Sequence, residues 1–350
     1  MHRQPLLQRL DVGSVAVFRA RYLGDMLCAV PALRALRHAL PHARIALVGL
    51  PWAQEFAARF AHYVDEFVPF PGHPLLPEQA VEHGVLAQFY AGMCARRFTL
   101  ALQLHGANEV GNDIAGGFGA GVLVGAHRGA PVKRARTVIL PCPDTGAEPE
   151  RLLGLVREIG AAPAGDRLEF PLSPRDEDEL AASGIARRLS PEGYFCIHPG
   201  ARARARCWPA ARFAEVGDRI VREFGLQAVL TGSRAEADLT ADVAARMATR
   251  PIDAAAALST GALGALLRDA ALLLCNDTGI SHLAAGLGVK SVVVFNRPDI
   301  ARWAPLDRLT HRCIWDPTAE RGAIVLHHAR ALLAGTAPSL QRSVGMWPYW

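Results

Sequence analysis

The chain has 350 residues, 51% hydrophobic and 20% charged. That composition excludes disordered, collagen-like and coiled-coil chains and suits two domains with separate cores. The net charge is +5, from 38 basic and 33 acidic residues, and so small and scattered an excess supplies no dense basic face for nucleic acid.

Short β-branched runs alternate with longer helical ones. Val15–Arg19 reads as a first strand, and Asp25–Leu40 as one helix with apolar residues near 3.6 spacing. Arg44–Gly49 and Val64–Pro69 read as strands on either side of a helix, Trp52–His62. Pro69–Pro77 holds four prolines and reads as a loop. Leu86–Arg97 reads as a helix, Leu100–Leu104 as a strand, and the glycine-rich run Gly116–Gly125 as a helix end feeding a strand from Val122. Arg151–Ile159 closes this half as a helix. Residues 161–192 turn proline-rich and charged, the expected connection. The second half repeats the alternation, with strands at Phe195–His198, Ala228–Thr231, Leu272–Cys275 and Ser291–Phe295. Its helices are expected at Ala210–Phe224, Ala235–Ala248, Gly261–Arg268, Ile280–Leu287 and Ala323–Leu333.

Two such arrays predict an α/β protein with two doubly wound parallel sheets, whose ligands bind outside the carboxyl ends of the strands. The expected boundaries are 1–170, a linker at 171–192, a second domain at 193–335 and a tail at 336–350. The cleft between the halves is the expected site. Seven cysteines stand apart with no CxxC pair, which fits free thiols in a reducing compartment better than disulfides or zinc. No stretch reads as a signal peptide, and none approaches the ~18 apolar residues of a membrane span.

The turn after the first strand runs Arg19-Ala20-Arg21-Tyr22-Leu23-Gly24-Asp25. It has neither GxGxxG nor a P-loop, which removes dinucleotide-fold dehydrogenases and P-loop NTPases. Asp25 has two readings, an N-cap and a general base facing the cleft. In the second half, His198-Pro199-Gly200-Ala201 leads through Arg202, Arg204 and Arg206 to Trp208-Pro209, either a phosphate-binding loop or a solvated one. Asp277-Thr278-Gly279-Ile280-Ser281-His282 opens a helix whose first amides suit an anion; Asp277 also reads as a cap and His282 as a packing residue. Asp176-Glu177-Asp178 reads as the acidic first turn of a helix capped by Ser173, not as a metal-binding Asp-x-Asp.

In order and spacing these segments resemble glycosyltransferase family 9, the lipopolysaccharide heptosyltransferases. The resemblance rests on Leu23-Gly24-Asp25, His198-Pro199-Gly200-Ala201, Arg206-Cys207-Trp208-Pro209, Thr231-Gly232-Ser233-Arg234-Ala235-Glu236 and Asp277–His282. Leu102–Gly106 and Phe295, Pro298-Asp299 and Trp303-Ala304-Pro305 also look like the family, so the resemblance covers about 14–306. It implies a GT-B fold, with the acceptor on the N-terminal domain and the donor on the C-terminal one. It implies inverting transfer of a heptose from ADP-heptose to lipopolysaccharide inner core, with no obligatory metal or other cofactor. Asp25 would be the base. Arg206 and the Thr278–Gly279 amides would meet the diphosphate, Glu236 the ribose, and Asp277 the donor sugar or the turn. His282 is expected to bond a phosphate or to pack. Gly24, Arg21, Arg202 and Arg204 are further phosphate or acceptor contacts, with Arg19 or Arg21 near an acidic acceptor.

Partners would be the nucleotide sugar and a lipid-anchored glycan, at the cytoplasmic face of the inner membrane. Three departures stand out: Arg206 replaces the family lysine, Asn296 replaces a frequent glycine, and the tail Ser339–Trp350, ending Trp347-Pro348-Tyr349-Trp350, falls outside the resemblance, its aromatic residues expected to pack on the N-terminal domain or to touch a membrane surface. Competing readings are another donor, a GT-B epimerase or hydrolase, and a non-catalytic binding protein.

Overall fold

The computed structural model describes residues 4–81, 84–128, 132–134, 136–142, 145–297 and 299–335. The chain divides into two compact units, one running to Pro171 and including Ala301–Trp303, the other made of Leu172–Ile300 and the chain from Ala304 on. The aromatic tail of the sequence lies outside the described residues.

The first unit contains α1 (Leu6–Arg9), β1 (Ser14–Phe18), α2 (Leu23–Leu27), α3 (Val30–Ala39), β2 (Arg44–Gly49), α4 (Ala53–Arg59) and β3 (Glu66–Pro69). It continues with α5 (Val85–Ala95), β4 (Leu100–Gln103), α6 (Glu109–Gly116), β5 (Val122–His127), β6 (Val132–Arg134), β7 (Thr137–Pro141) and α7 (Glu148–Glu158). Its sheet runs β3-β2-β1-β4-β5-β7-β6, parallel except for β6 against β7. Every residue of β4 is buried, as expected of a parallel strand with both faces covered. Phe18 sits edge-on to Phe70 and Phe118 at 5.1 and 5.9 Å in the core.

The second unit contains α8 (Pro174–Ala182), β8 (Tyr194–His198), α9 (Ala210–Phe224), β9 (Gln227–Leu230), α10 (Ala237–Arg246), β10 (Ile252–Asp253) and α11 (Thr260–Arg268). Then come β11 (Leu273–Asn276), α12 (Gly279–Leu287), β12 (Ser291–Phe295), α13 (Ile300–Trp303, whose last three residues belong to the first unit), β13 (His311–Trp315) and α14 (Gly322–Leu333). Its sheet, β10-β9-β8-β11-β12-β13, is parallel throughout. Helices α9 and α12 stop at glycines in the left-handed region, Gly225 (φ 69°) and Gly288 (φ 71°).

Strand order reverses direction at β1/β4 in one unit and at β8/β11 in the other. Those are the switch points where α/β sheets hold ligands. Three expectations change. The helix expected over Asp25–Leu40 is two, because Pro31 has no N–H for the Leu27 carbonyl and its ring crowds it. Residues expected as a linker join the second unit from Leu172 on. There α8 buries Leu180, and Glu177 and Glu179 bond Arg268 and Ser259. Strands β6, β7, β10 and β13 were not anticipated; His311-Arg312-Cys313 lacks an apolar signature and pairs as an edge on β12. The Asp176 turn is as expected, with Asp176 accepting from the Ser173 amide (2.7 Å) and hydroxyl (2.9 Å).

Candidate functional site

In the first unit the chain leaves β1 through Arg19, which is 1% exposed. A cation so deep needs a full set of acceptors. Arg19 donates through Nε to the Asp25 carbonyl (2.8 Å), through its guanidinium to the Leu104 carbonyl, and to Glu148 (3.4 Å). It therefore clamps the first turn of α2 to the end of β4. Tyr22, not Asp25, is the N-cap of α2, so the capping reading of Asp25 falls. Asp25 lies in the first helical turn, one-quarter exposed, with an oxygen 4.0 Å from the Arg19 guanidinium. Among the described residues its carboxylate accepts no hydrogen bond. Gly24, the residue before Asp25, is buried.

Arg21 is not a loose cation. It donates to the His105 carbonyl (3.0 and 3.2 Å) and to Glu78 (2.5 Å), and burial lowers its pKa. His105 stacks on Phe18, centroids 5.1 Å apart, and its Nδ1 accepts the Ala20 amide (3.2 Å). The ring proton therefore sits on Nε2, which is buried without a partner among the described residues. Burial first, then Arg21 and Arg19, push the His105 pKa down to about 2.

Glu148 carries no motif or spacing that marks it in advance. Its buried carboxylate takes Arg302 (2.9 Å), Arg151 (3.1 Å) and Arg19 (3.4 Å). Burial alone would raise its pKa; the three guanidiniums hold it below the ordinary carboxylate range.

In the second unit the loops after β8 and β11 are tied by Asn276, also unanticipated. Its amide donates to the Pro199 carbonyl (2.7 Å) and its oxygen accepts the Trp208 amide (2.8 Å). Trp208 donates to Asp316 (2.9 Å), which in turn accepts the amides of Glu320 and Arg321. On this frame Arg206 meets Asp277 at 2.5 Å, and Asn296 donates to the Ala205 carbonyl at 3.1 Å. The residue that departs from the family pattern thus supports the arginine loop. Thr278 is the N-cap of α12, with no side-chain cap. The helix starts at Gly279, leaving its first amides for an anion.

Glu236 accepts from the Ser233 amide (2.8 Å) and hydroxyl (2.7 Å), a capping box. Its other oxygen lies over Gly200, where a Cβ would come within 2.1 Å of it. His198 bonds Thr231 (3.1 Å) and stands 3.9 Å from Glu236. Burial lowers the His198 pKa, partly opposed by Glu236. Arg204 turns to Asp238 (2.7 Å) and the Ala235 carbonyl, and Arg202 is exposed. His282 is 4% exposed, near His311, which bonds Ser291 (2.8 Å) and whose pKa is pushed down to about 4, chiefly by burial; the burial of His282 favours its packing role. All seven cysteines are free thiols. No group of three or more His, Cys, Asp or Glu among the described residues could hold a metal ion.

Residues 161–322 match the model of glycosyltransferase family 9 (heptosyltransferase). This stretch is similar to family 9 glycosyltransferase domains. Over 130 residues the chain is 32% identical to lipopolysaccharide heptosyltransferase 3 of Escherichia coli, a match covering 36% of this chain and 36% of that relative. The solved family 9 glycosyltransferase of Veillonella parvula superposes with a TM-score of 0.77 at 20% identity, over 93% of this chain and 99% of the other. The ADP-heptose lipopolysaccharide heptosyltransferase II of E. coli gives 0.72 at 20% identity, over 92% and 99%. At such identities the likeness establishes the GT-B fold. The family 9 match takes in the loops after β8, β9 and β11, with Arg206, Glu236 and Asp277 in turn.

Proposed function

We propose that the chain is an inverting glycosyltransferase that moves a heptose from ADP-heptose to the inner core of lipopolysaccharide. The donor lies on the second unit and the lipid-anchored acceptor on the first, at the cytoplasmic face of the inner membrane. No described helix is long and apolar enough to cross a membrane. The observation that carries the reading is the Asp25 carboxylate, held by the Arg19 clamp and left without hydrogen bonds at a sheet switch point.

In the step, an acceptor hydroxyl attacks the anomeric carbon of the donor sugar as the bond to the diphosphate breaks. Asp25 takes the hydroxyl proton. The departing ADP carries the released charge, met by Arg206 and the first amides of α12. An arginine here grips phosphate bidentately, which a lysine does not. Glu236 accepts from the ribose hydroxyls across Gly200, and Asp277 keeps Arg206 aimed and orients the sugar.

The test uses ADP-heptose and a deacylated inner-core oligosaccharide. Asp25→Ala is expected to lower transfer by about 10²–10⁴-fold while ADP affinity stays unchanged. Full transfer by that variant would remove Asp25 as the base. ADP release at the full rate without acceptor would favour a hydrolase or epimerase. Thermal shifts with ADP-, GDP-, UDP- and dTDP-sugars test the donor, and a preference for another base would redirect the assignment.

A further inference from the structure

A groove of about 380 Å³ opens in the first unit where β3 ends, against α5. Its size falls in the ~300–1,000 Å³ range of ligand sites. Val68, Phe70, Phe89 and Met93 build its wall, and Gln88 and Arg96 are the only polar side chains that line it among the described residues. Helix α5, Val85–Ala95, contains no charged residue, yet only Met93 of it is buried. Leu75, in the loop leading toward it, is 68% exposed. Isolated apolar residues on a surface are ordinary, but an uncharged helix beside an apolar groove marks a contact surface.

Charge at the groove's end narrows the occupant. Arg96 pairs with Glu66, and Arg44 reaches the same carboxylate at 3.0 Å. The next residue, Arg97, is exposed and forms no ion pair among the described residues. Three guanidiniums thus stand against one carboxylate, a net positive rim on an apolar trough. A neutral apolar ligand would have no use for that rim, and a soluble anion none for the trough. An anionic lipid matches both.

The apolar end of the groove, at Pro51 and Pro69–Pro71, lies at the carboxyl edge that also carries Asp25, two strands away, and its Arg96 end lies at the amino ends of β2 and β3, where Arg44 and Glu66 open those strands. Trp52, beside the lining residue Pro51, donates to the Arg21 carbonyl (3.1 Å) and links the two places.

We propose that this groove takes an acyl chain of an anionic lipid, with its phosphate at Arg96 and Arg97, and so seats the first unit on an anionic bilayer. The proposal deepens the reading above and rests on it only for the lipid-anchored acceptor. Its test reads no transfer, so the two can fail separately. The full chain is sedimented with vesicles of phosphatidylcholine, alone or mixed with phosphatidylglycerol. Binding is expected to the mixed vesicles and to persist in excess inorganic phosphate.

Gly92 lines the groove, and a Cβ there meets nothing within 4 Å, so Gly92→Asp charges the trough without disturbing the fold. It is expected to weaken vesicle binding about tenfold, a cost of ~1.4 kcal/mol, with ADP affinity unchanged. Arg97→Glu is expected to abolish the preference for phosphatidylglycerol. Unchanged binding by Gly92→Asp, no vesicle binding by the parent chain, or displacement by phosphate would overturn the proposal. So would binding lost on replacing Trp347, Tyr349 and Trp350 with serine while the groove is intact.

Discussion

Gly200→Ala tests the donor side with a single methyl group. The Gly200 backbone is not in the left-handed region, so the substitution acts through space alone. The new Cβ would stand 2.1 Å from Glu236 Oε1, 2.4 Å from its Cδ and 3.0 Å from Oε2. Reaching ordinary contact at 3.4 Å moves the carboxylate by about 1.3 Å. The Ser233 bonds, now 2.8 and 2.7 Å, do not survive such a shift. Loss of the cap costs about 1 kcal/mol of stability. Loss of a charged hydrogen bond to the ribose costs ~1.5–3 kcal/mol of ADP binding, or about 10- to 150-fold. Titration calorimetry with ADP measures it. Ser233→Ala is the control, because it removes one cap bond but leaves Glu236 in place; it should lower stability while sparing ADP affinity. Unaltered ADP binding by Gly200→Ala, or an equal loss in Ser233→Ala, would refute the role given to Glu236.

Other expectations concern the first unit. Glu148→Gln keeps the shape but leaves Arg19, Arg151 and Arg302 without their shared carboxylate. Urea unfolding should report a loss of about 3–5 kcal/mol; a loss under about 1 kcal/mol would mean the arginines find water instead. Because the folded Glu148 pKa is depressed, its contribution is present above the ordinary carboxylate pKa and fades as pH falls through the lowered one. The acid transition of the variant should be shallower. His105, with a pKa of about 2, should show an Nε2–H tautomer by nitrogen NMR and no titration between about pH 5 and 8. The unfolded ring binds a proton below about pH 6.5 and the folded ring does not, so stability should fall by ~1.4 kcal/mol per pH unit well below that point. A His105 resonance titrating near 6.5 would contradict the geometry.

The alternation of apolar strands and helices made both sheets legible, because parallel strands buried on both faces are continuous apolar runs. The turns that carry Asp25, Arg206, Glu236 and Asp277 are singled out through the resemblance to the family, since from the residues alone each also reads as a helix cap, a first-turn carboxylate or a solvated loop. What stayed hidden joins distant parts of the chain. Glu148 meets Arg19 across 129 residues, and Trp208 meets Asp316 across 108; no periodicity records such pairs. Arg19 itself stood in a recognised turn, but one arginine among 36 gave no hint that it would be buried. Arg21 and Arg204 looked available for ligands and are instead tied to Glu78 and Asp238, partners that spacing does not announce.

The first unit is not one continuous stretch of chain, since Ala301–Trp303 return to it about 130 residues after Pro171. A ribosome adding ~5–20 residues per second needs on the order of ten seconds to make that stretch. Throughout that interval the nascent sheet, already able to pair β1 with β4, holds Glu148 with two of its three cations. Arg302 comes last, so the native charge balance of the first unit is completed only after Leu172–Ile300 of the second unit have been made.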